Sequence, residues 1–129
     1  MRKLLAMIFI PVLFVTACST SNSSATKVSG PEFLNQISSA EVVLIDVRTP
    51  EEFAAGHLPN ALNINVESAD FETQIAALDK NTTYGIYCRS GNRSTVASDK
   101  MAQAGFTSLI NSTAGLDELV ANGATAVTK

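Results

Sequence analysis

The sequence predicts an α/β domain in which a parallel sheet carries helices on both faces. Three observations predict it. Strand-like and helix-like runs alternate from Ser29 onward, as they do where helical crossovers join parallel strands. The run Glu41-Val42-Val43-Leu44-Ile45-Asp46-Val47 is almost continuously apolar and β-branched, which suits a strand buried on both faces. The stretch Cys88-Arg89-Ser90-Gly91-Asn92-Arg93-Ser94 lies between a strand-like and a helix-like run, where such sheets bind ligands beyond their carboxyl edge.

The first segment stands outside that fold. Arg2 and Lys3 precede a short apolar run, Leu4 to Val15, interrupted by Pro11. It is too short to span a bilayer and reads as an export signal over residues 1–17. Val15-Thr16-Ala17-Cys18 resembles the lipobox of bacterial lipoproteins, in which the cysteine becomes the lipidated first residue. The resemblance implies lipidation of Cys18, anchoring by several acyl chains, and a place in the cell envelope facing the periplasm. Ser19 after the cysteine favours the outer membrane in that pattern. Residues 18–28 then read as anchor and flexible tether, and residues 29–129 as the domain, long enough for one modest core.

Ser29-Gly30-Pro31-Glu32 opens a helix, with Ser29 as cap, Glu32 reaching back, and Phe33, Leu34 and Ile37 as the apolar face. The strand over residues 41–47 ends in Asp46-Val47-Arg48, and Thr49-Pro50-Glu51-Glu52 caps a short helix. Gly56-His57-Leu58-Pro59-Asn60 is a turn, and Leu62-Asn63-Ile64-Asn65-Val66 a short alternating strand. Phe71, Ile75 and Leu78 recur at helical spacing. Thr82 to Tyr87 is strand-like, Thr95 to Ala104 helix-like, and Gly105 ends that helix. Ser108-Leu109-Ile110 makes a last strand and Leu116 to Ala121 a final helix. Gly85 inside a central strand runs against strand preference, and the sequence alone gives no reason for it.

Charge narrows the function. Without residues 1–17 the chain has seven basic residues against twelve acidic ones, net −5. An acidic domain is a poor nucleic-acid binder. Two of the seven basic residues, Arg89 and Arg93, bracket the Cys88 loop, so positive charge is concentrated where an anion would sit. His57 is the only histidine, so no Cys/His cluster offers a metal site, and no cofactor is expected. If Cys18 carries lipid, Cys88 is an unpaired thiol on an exported protein, which is unusual. A cysteine at a strand end, before a loop that feeds a helix, can have N–H groups and a helix dipole turned toward it. Those favour the reactive thiolate. The competing reading is a small buried cysteine flanked by two surface arginines. Ser94 sits where the helix N-cap belongs.

At these residues the chain resembles the rhodanese family, as a single-domain member. The blocks that carry the likeness are Ile45-Asp46-Val47-Arg48 with Glu52, Gly56 to Ile64, and Tyr87 to Ser94. They fall within a similarity running from Ser29 to Gly123. The resemblance implies a five-stranded parallel sheet and a cysteine, Cys88, that carries sulfane sulfur as a persulfide. It also implies that the loop Arg89, Ser90, Gly91, Asn92 and Arg93 surrounds the outer sulfur. Asp46 and Arg48 become supports, with Arg48 pairing with Glu52, and His57 a structural turn residue. The chain departs from the family at Asn60, where Gly is usual, at Ala114-Gly115, where Gly-Gly is common, and at Leu119, where Trp is frequent.

Three functions follow. In a sulfurtransferase, Cys88 takes sulfur from a small anionic donor such as thiosulfate, with Arg89 and Arg93 holding the sulfonate. It passes the sulfur to cyanide or a thiol by a two-step, ping-pong route. A cysteine-dependent phosphatase would use a similar loop, but such loops have five residues between Cys and Arg, whereas four separate Cys88 from Arg93. A non-catalytic envelope binding module would leave the thiol idle. Oligomeric state is not legible.

Overall fold

The computed structural model describes residues 25–129. The export signal, the Cys18 lipidation box and the tether as far as residue 24 lie outside the described residues. Two strands form the centre: β2 (Val42–Asp46) and β4 (Thr83–Tyr87). They pair in parallel along their full length, from Val42 opposite Thr83 to Asp46 opposite Tyr87. β5 (Leu109–Ser112) lies on the far side of β4, β1 (Ala25–Val28) pairs with β5, and β3 (Leu62–Asn63) forms a short edge on β2. The sheet is five-stranded, in the order β1-β5-β4-β2-β3, and its pairings are parallel. This is the expected fold class.

Two apolar layers sandwich the sheet. On one face α1 (Gly30–Ile37) and α5 (Leu116–Ala121) bring Phe33, Leu116 and Leu119 against Val28, Tyr87 and Ile110. On the other, α3 (Phe71–Ala76) and α4 (Asn92–Gln103) bring Phe71, Ile75, Ala97 and Met101 against Ile45, Tyr84, Ile86 and Leu109. α2 (Pro50–Ala55) buries no residue fully; it rests beside the carboxyl edge of the sheet, held by polar bonds.

The chain before Ser29 differs from expectation. Ala25–Val28, read as tether, is the edge strand β1, and only Val28 of it is buried. Four residues with one buried side chain leave no period-2 signal. Ser29 does precede α1, but its side chain makes no capping bond, and Glu32 accepts from Gln36 Nε2 at 3.0 Å instead. Of the alternating run 62–66, only Leu62–Asn63 joins the regular ladder; Ile64 N–H and Val66 N–H still donate to Asp46 O and Val47 O, at 3.0 and 3.1 Å.

Three glycine or asparagine positions gain physical reasons. A Cβ on Gly85 would lie 2.9 Å from Ile37 Cγ2 and 3.3 Å from the Phe33 ring, so the bare strand is what lets α1 seat on the sheet. Asn60 holds φ +64°, a left-handed backbone that asparagine tolerates better than most residues. Gly105, at φ +97°, closes α4: its N–H donates to Ala102 O and the Phe106 N–H to Met101 O, both at 3.1 Å. That is the paired bonding of a Schellman end.

Candidate active site

Two strand-to-helix connections leave the carboxyl edge side by side. The first follows β2. Asp46 is wholly buried and Arg48 is 5% exposed. Arg48 Nε donates to both Asp46 oxygens at 3.0 and 3.1 Å, and Nη2 donates to Oδ2 at 2.7 Å. The Arg48 N–H adds a bond to Oδ1 at 3.0 Å, and Nη2 also reaches Gly56 O at 2.5 Å. Such a buried pair holds its turn rigidly, because removing one partner strands the other charge. Next, Thr49 and Glu52 form a complete capping box on α2.

The second connection follows β4 and carries Cys88, which is wholly buried. The Gly91 N–H points at its sulfur, 3.0 Å away, and the Ser94 hydroxyl oxygen lies 3.6 Å from it. α4 begins earlier than the sequence implies. Its N-cap is Gly91, in left-handed conformation with φ +86°, and no side chain caps it. Ser94 is therefore not the cap. It lies in the first turn, where its hydroxyl donates to Gly91 O at 3.0 Å. The difference arises because the loop turns on a left-handed residue, which only glycine supplies cheaply.

The loop is fixed from behind as well. A Cβ on Gly115 would fall 1.5 Å from Arg89 O, so the loop backbone lies flush on that glycine. The Leu116 N–H donates to Cys88 O at 3.0 Å. Of the pair Ala114-Gly115, then, the second position is the one that geometry demands. Leu119 is fully buried beneath.

Burial pushes the Cys88 thiol up. The Ser94 hydroxyl and the backbone N–H groups of Ser94, Ser90 and Gly91 outweigh it and hold the thiol below its ordinary value. Hydrogen bonds to the charged form do this generally.

The charges are arranged differently from the sequence reading. Glu52 does not pair with Arg48. It takes a two-pronged bond from Arg93, Nη1 to Oε2 at 2.7 Å and Nη2 to Oε1 at 2.9 Å. Arg48 is instead engaged by Asp46, two residues away in the same turn. Arg93, together with the Thr49 bonds, holds the Glu52 carboxyl down to about 2. Arg93 thus ties α4 to α2. Arg89 is exposed and has no ion pair or side-chain hydrogen bond among the described residues. It lines a cleft of about 210 Å³ together with Arg48, Glu52, Ala55, Leu116 and Asp117. Ser90 and Asn92 are exposed beside it.

His57 serves the turn. Its Nδ1–H donates to Phe53 O at 2.8 Å, its ring stacks on Phe53 at 3.6 Å, and its backbone bridges to Val127. Among the described residues no group of three His, Cys, Asp or Glu side chains could hold a metal ion.

Two residues behind the loop escape the sequence reading. Thr95 Oγ1 donates to Gly91 O at 2.9 Å and accepts from Asn111 Nδ2 at 2.9 Å. The available signal was a polar Asn-Ser pair ending the last strand run, at the same sheet edge as Cys88.

Comparison with known proteins follows the same lines. The family model for the rhodanese-like domain matches residues 29–122. Thiosulfate sulfurtransferase PspE of Escherichia coli is 34% identical over 67 residues, covering 52% of this chain and 64% of that protein. The chain spans about three fifths of the length of the curated relatives it matches. Among solved structures, a human single-domain sulfurtransferase superposes with TM-score 0.60 at 30% identity, over 74% of this chain and 95% of the other. A rhodanese-related protein from Thermoplasma volcanium, 22% identical, shares the fold with TM-score 0.70 over 80% of this chain and 98% of its own.

Proposed function

The chain belongs to the rhodanese-like domain family, and on that premise we propose that it moves sulfane sulfur from thiosulfate or a similar anionic donor through a persulfide on Cys88. The observation that carries this reading is the Gly91 N–H aimed at Cys88 Sγ from 3.0 Å, in a helix end that no side chain caps. The Cys88 thiolate attacks the outer sulfur of thiosulfate. The new S–S bond forms as the old one breaks, and sulfite leaves with the bonding pair. The loop N–H groups then face the anionic outer sulfur. Cyanide, or a thiolate, attacks that sulfur and leaves as thiocyanate or a new persulfide, returning Cys88 as thiolate. Arg89, the loop cation with no carboxylate partner, draws the anionic donor to the cleft. Arg93 is occupied by Glu52 and acts as a strut between the two connections.

The test is a donor panel followed by intact mass. Thiosulfate should add about 32 Da to the chain, reversed by a reducing thiol, release sulfite and, with cyanide, yield thiocyanate. Cys88→Ser should abolish both half-reactions. Wild-type turnover in that variant, or Cys88-dependent hydrolysis of an aryl phosphate with no added sulfur, would overturn the assignment.

The cellular place rests on the lipobox resemblance of Val15-Thr16-Ala17-Cys18. On it the domain is tethered to the periplasmic side of a membrane, the outer one favoured by Ser19. Full-length protein in a Gram-negative host should incorporate labelled palmitate and sediment with membranes. Cys18→Ala should lose both; equal labelling of that variant would refute the anchor.

A further inference from the structure

A polar layer lies behind the Cys88 loop. Ser94, Ser98, Asn111 and Ser112 are each no more than 1% exposed. Asn111 is the costly member. It sits in β5, all four residues of which are buried, and its Oδ1, like Ser98 Oγ, has no hydrogen-bond partner among the described residues. A half-paired buried amide is destabilising relative to an apolar side chain of similar size, so its paired half calls for a reason.

That half begins a directed chain. Asn111 Nδ2–H donates to Thr95 Oγ1 at 2.9 Å. Since the Thr95 oxygen is accepting, its single proton is free to point onward, to Gly91 O at 2.9 Å. Gly91 is the residue whose N–H reaches Cys88 Sγ. Ser94 also has one hydroxyl proton and three acceptors around it: Gly91 O at 3.0 Å, Ser112 O at 3.3 Å and Cys88 Sγ at 3.6 Å. Gly91 O also accepts the Thr95 N–H at 3.3 Å, so with both Thr95 donors on that carbonyl the Ser94 proton can turn to a sulfur anion without stranding it.

We propose that Asn111 and Thr95 are positioning residues for the Cys88 sulfur: the relay from Asn111 N–H through Thr95 O–H to Gly91 C=O aims the Gly91 N–H and releases the Ser94 hydroxyl to the sulfur anion. The relay rests on the reading of Cys88 as the reactive sulfur, and neither residue touches the substrate. It acts on whichever anion the sulfur carries, thiolate or persulfide.

The experiment measures the rate of Cys88 alkylation by iodoacetamide against pH on the full chain. Mass of the Cys88 peptide is the readout, which keeps Cys18 out of the measurement and requires no sulfur donor. Asn111→Leu and Thr95→Val should move the midpoint to higher pH and slow alkylation below it by roughly three- to tenfold, the scale of one weakened hydrogen bond to a charged group. Thr95→Ser, which keeps the hydroxyl, should restore the wild-type midpoint. In sulfur transfer the two damaging variants should lose kcat with KM for thiosulfate little changed. Thr95 is half-buried on α4, so Thr95→Val carries the test if the buried change prevents folding. Wild-type midpoints in folded Asn111→Leu and Thr95→Val, or a Thr95→Ser midpoint as displaced as that of Thr95→Val, would overturn the relay. If the wild-type protein takes up no sulfur from any donor, the sulfurtransferase reading falls, and the alkylation midpoints still decide the relay.

Discussion

The two connections at the carboxyl edge solve the same problem in opposite ways. Each must end a parallel strand and start a helix, and each helix start leaves backbone N–H groups without intrahelical partners. After β2 those groups are satisfied locally: Thr49 Oγ1 accepts from the Glu52 N–H at 3.3 Å, and Glu52 Oε2 accepts from the Thr49 N–H at 3.0 Å. After β4 no side chain caps the helix; a left-handed glycine turns the chain and the Gly91 N–H is directed at a cysteine sulfur. A capped start is a finished structure. An uncapped start, backed by Gly115 and Leu116, keeps its donors for an anion. The contrast also separates the arginines. Arg48 and Arg93 are matched by carboxylates and hold the frame, while Arg89 keeps its charge for the cleft.

The sharpest way to break the contrast is Gly91→Ala. The residue sits at φ +86°, and an added Cβ would lie 2.6 Å from the backbone Thr113 O. A left-handed alanine costs about 1–2 kcal/mol on its own, and the contact with a backbone atom forces a shift of the loop. The Gly91 N–H should then leave the sulfur. Sulfur transfer should fall by roughly a hundredfold in kcat/KM, about 2.7 kcal/mol of transition-state stabilisation, and the Cys88 thiol should titrate at higher pH. Thr49→Ala, the matched change at the capped connection, should lower stability by about 1 kcal/mol and cost far less activity. Steady-state kinetics and denaturant melts on both variants decide it. Equal losses of activity would erase the distinction between the two helix starts.

Much of this was legible in the sequence. The strand 42–46, the Cys88 loop, the final helix 116–121 and the parallel sheet follow from apolar runs and turn residues, although Val42, Val43 and Leu44 are half-buried where full burial was expected. What stayed hidden was set by contacts across long sequence separations. Gly85 is explained only by Ile37 and Phe33 lying over it. Glu52 has three candidate arginines in reach of a sequence argument, and the choice of Arg93 depends on how close α2 and α4 approach. Ser94 is a good capping residue by type, but the left-handed turn at Gly91 moved the helix start ahead of it. β1 is an edge strand with one buried residue, too short for periodicity to register. Asn111 hides because a polar residue at a strand end is ordinary until its neighbours are known.

The smallest expected effect concerns the strut that joins the two connections. Glu52 is held down to about 2 from an ordinary value of 4.5, first by Arg93. A depressed carboxylate contributes stability that is present above its unfolded value and lost as pH falls toward its folded one. The window is therefore pH 4.5 down to about 2. The side chains of Arg93 and Glu52 are 23% and 27% exposed, so solvent screens the pair and the contribution should be about 1–2 kcal/mol, well below what the shift would give in a dry site. Glu52→Gln keeps an acceptor for Thr49 and removes the charge. Its melts should lie below those of the wild type by that amount at pH 6. The gap should narrow through pH 3 and be nearly closed at pH 2, where the wild-type carboxylate is about half protonated. Comparing the two proteins at each pH removes the other carboxylates, which titrate in both. A gap that stays constant from pH 6 to pH 2 would show that the charge of Glu52 adds nothing. The strut would then reduce to the capping box, leaving the Cys88 connection held from behind, by Gly115, Leu116 and the Thr95 and Ser94 bonds to Gly91 O.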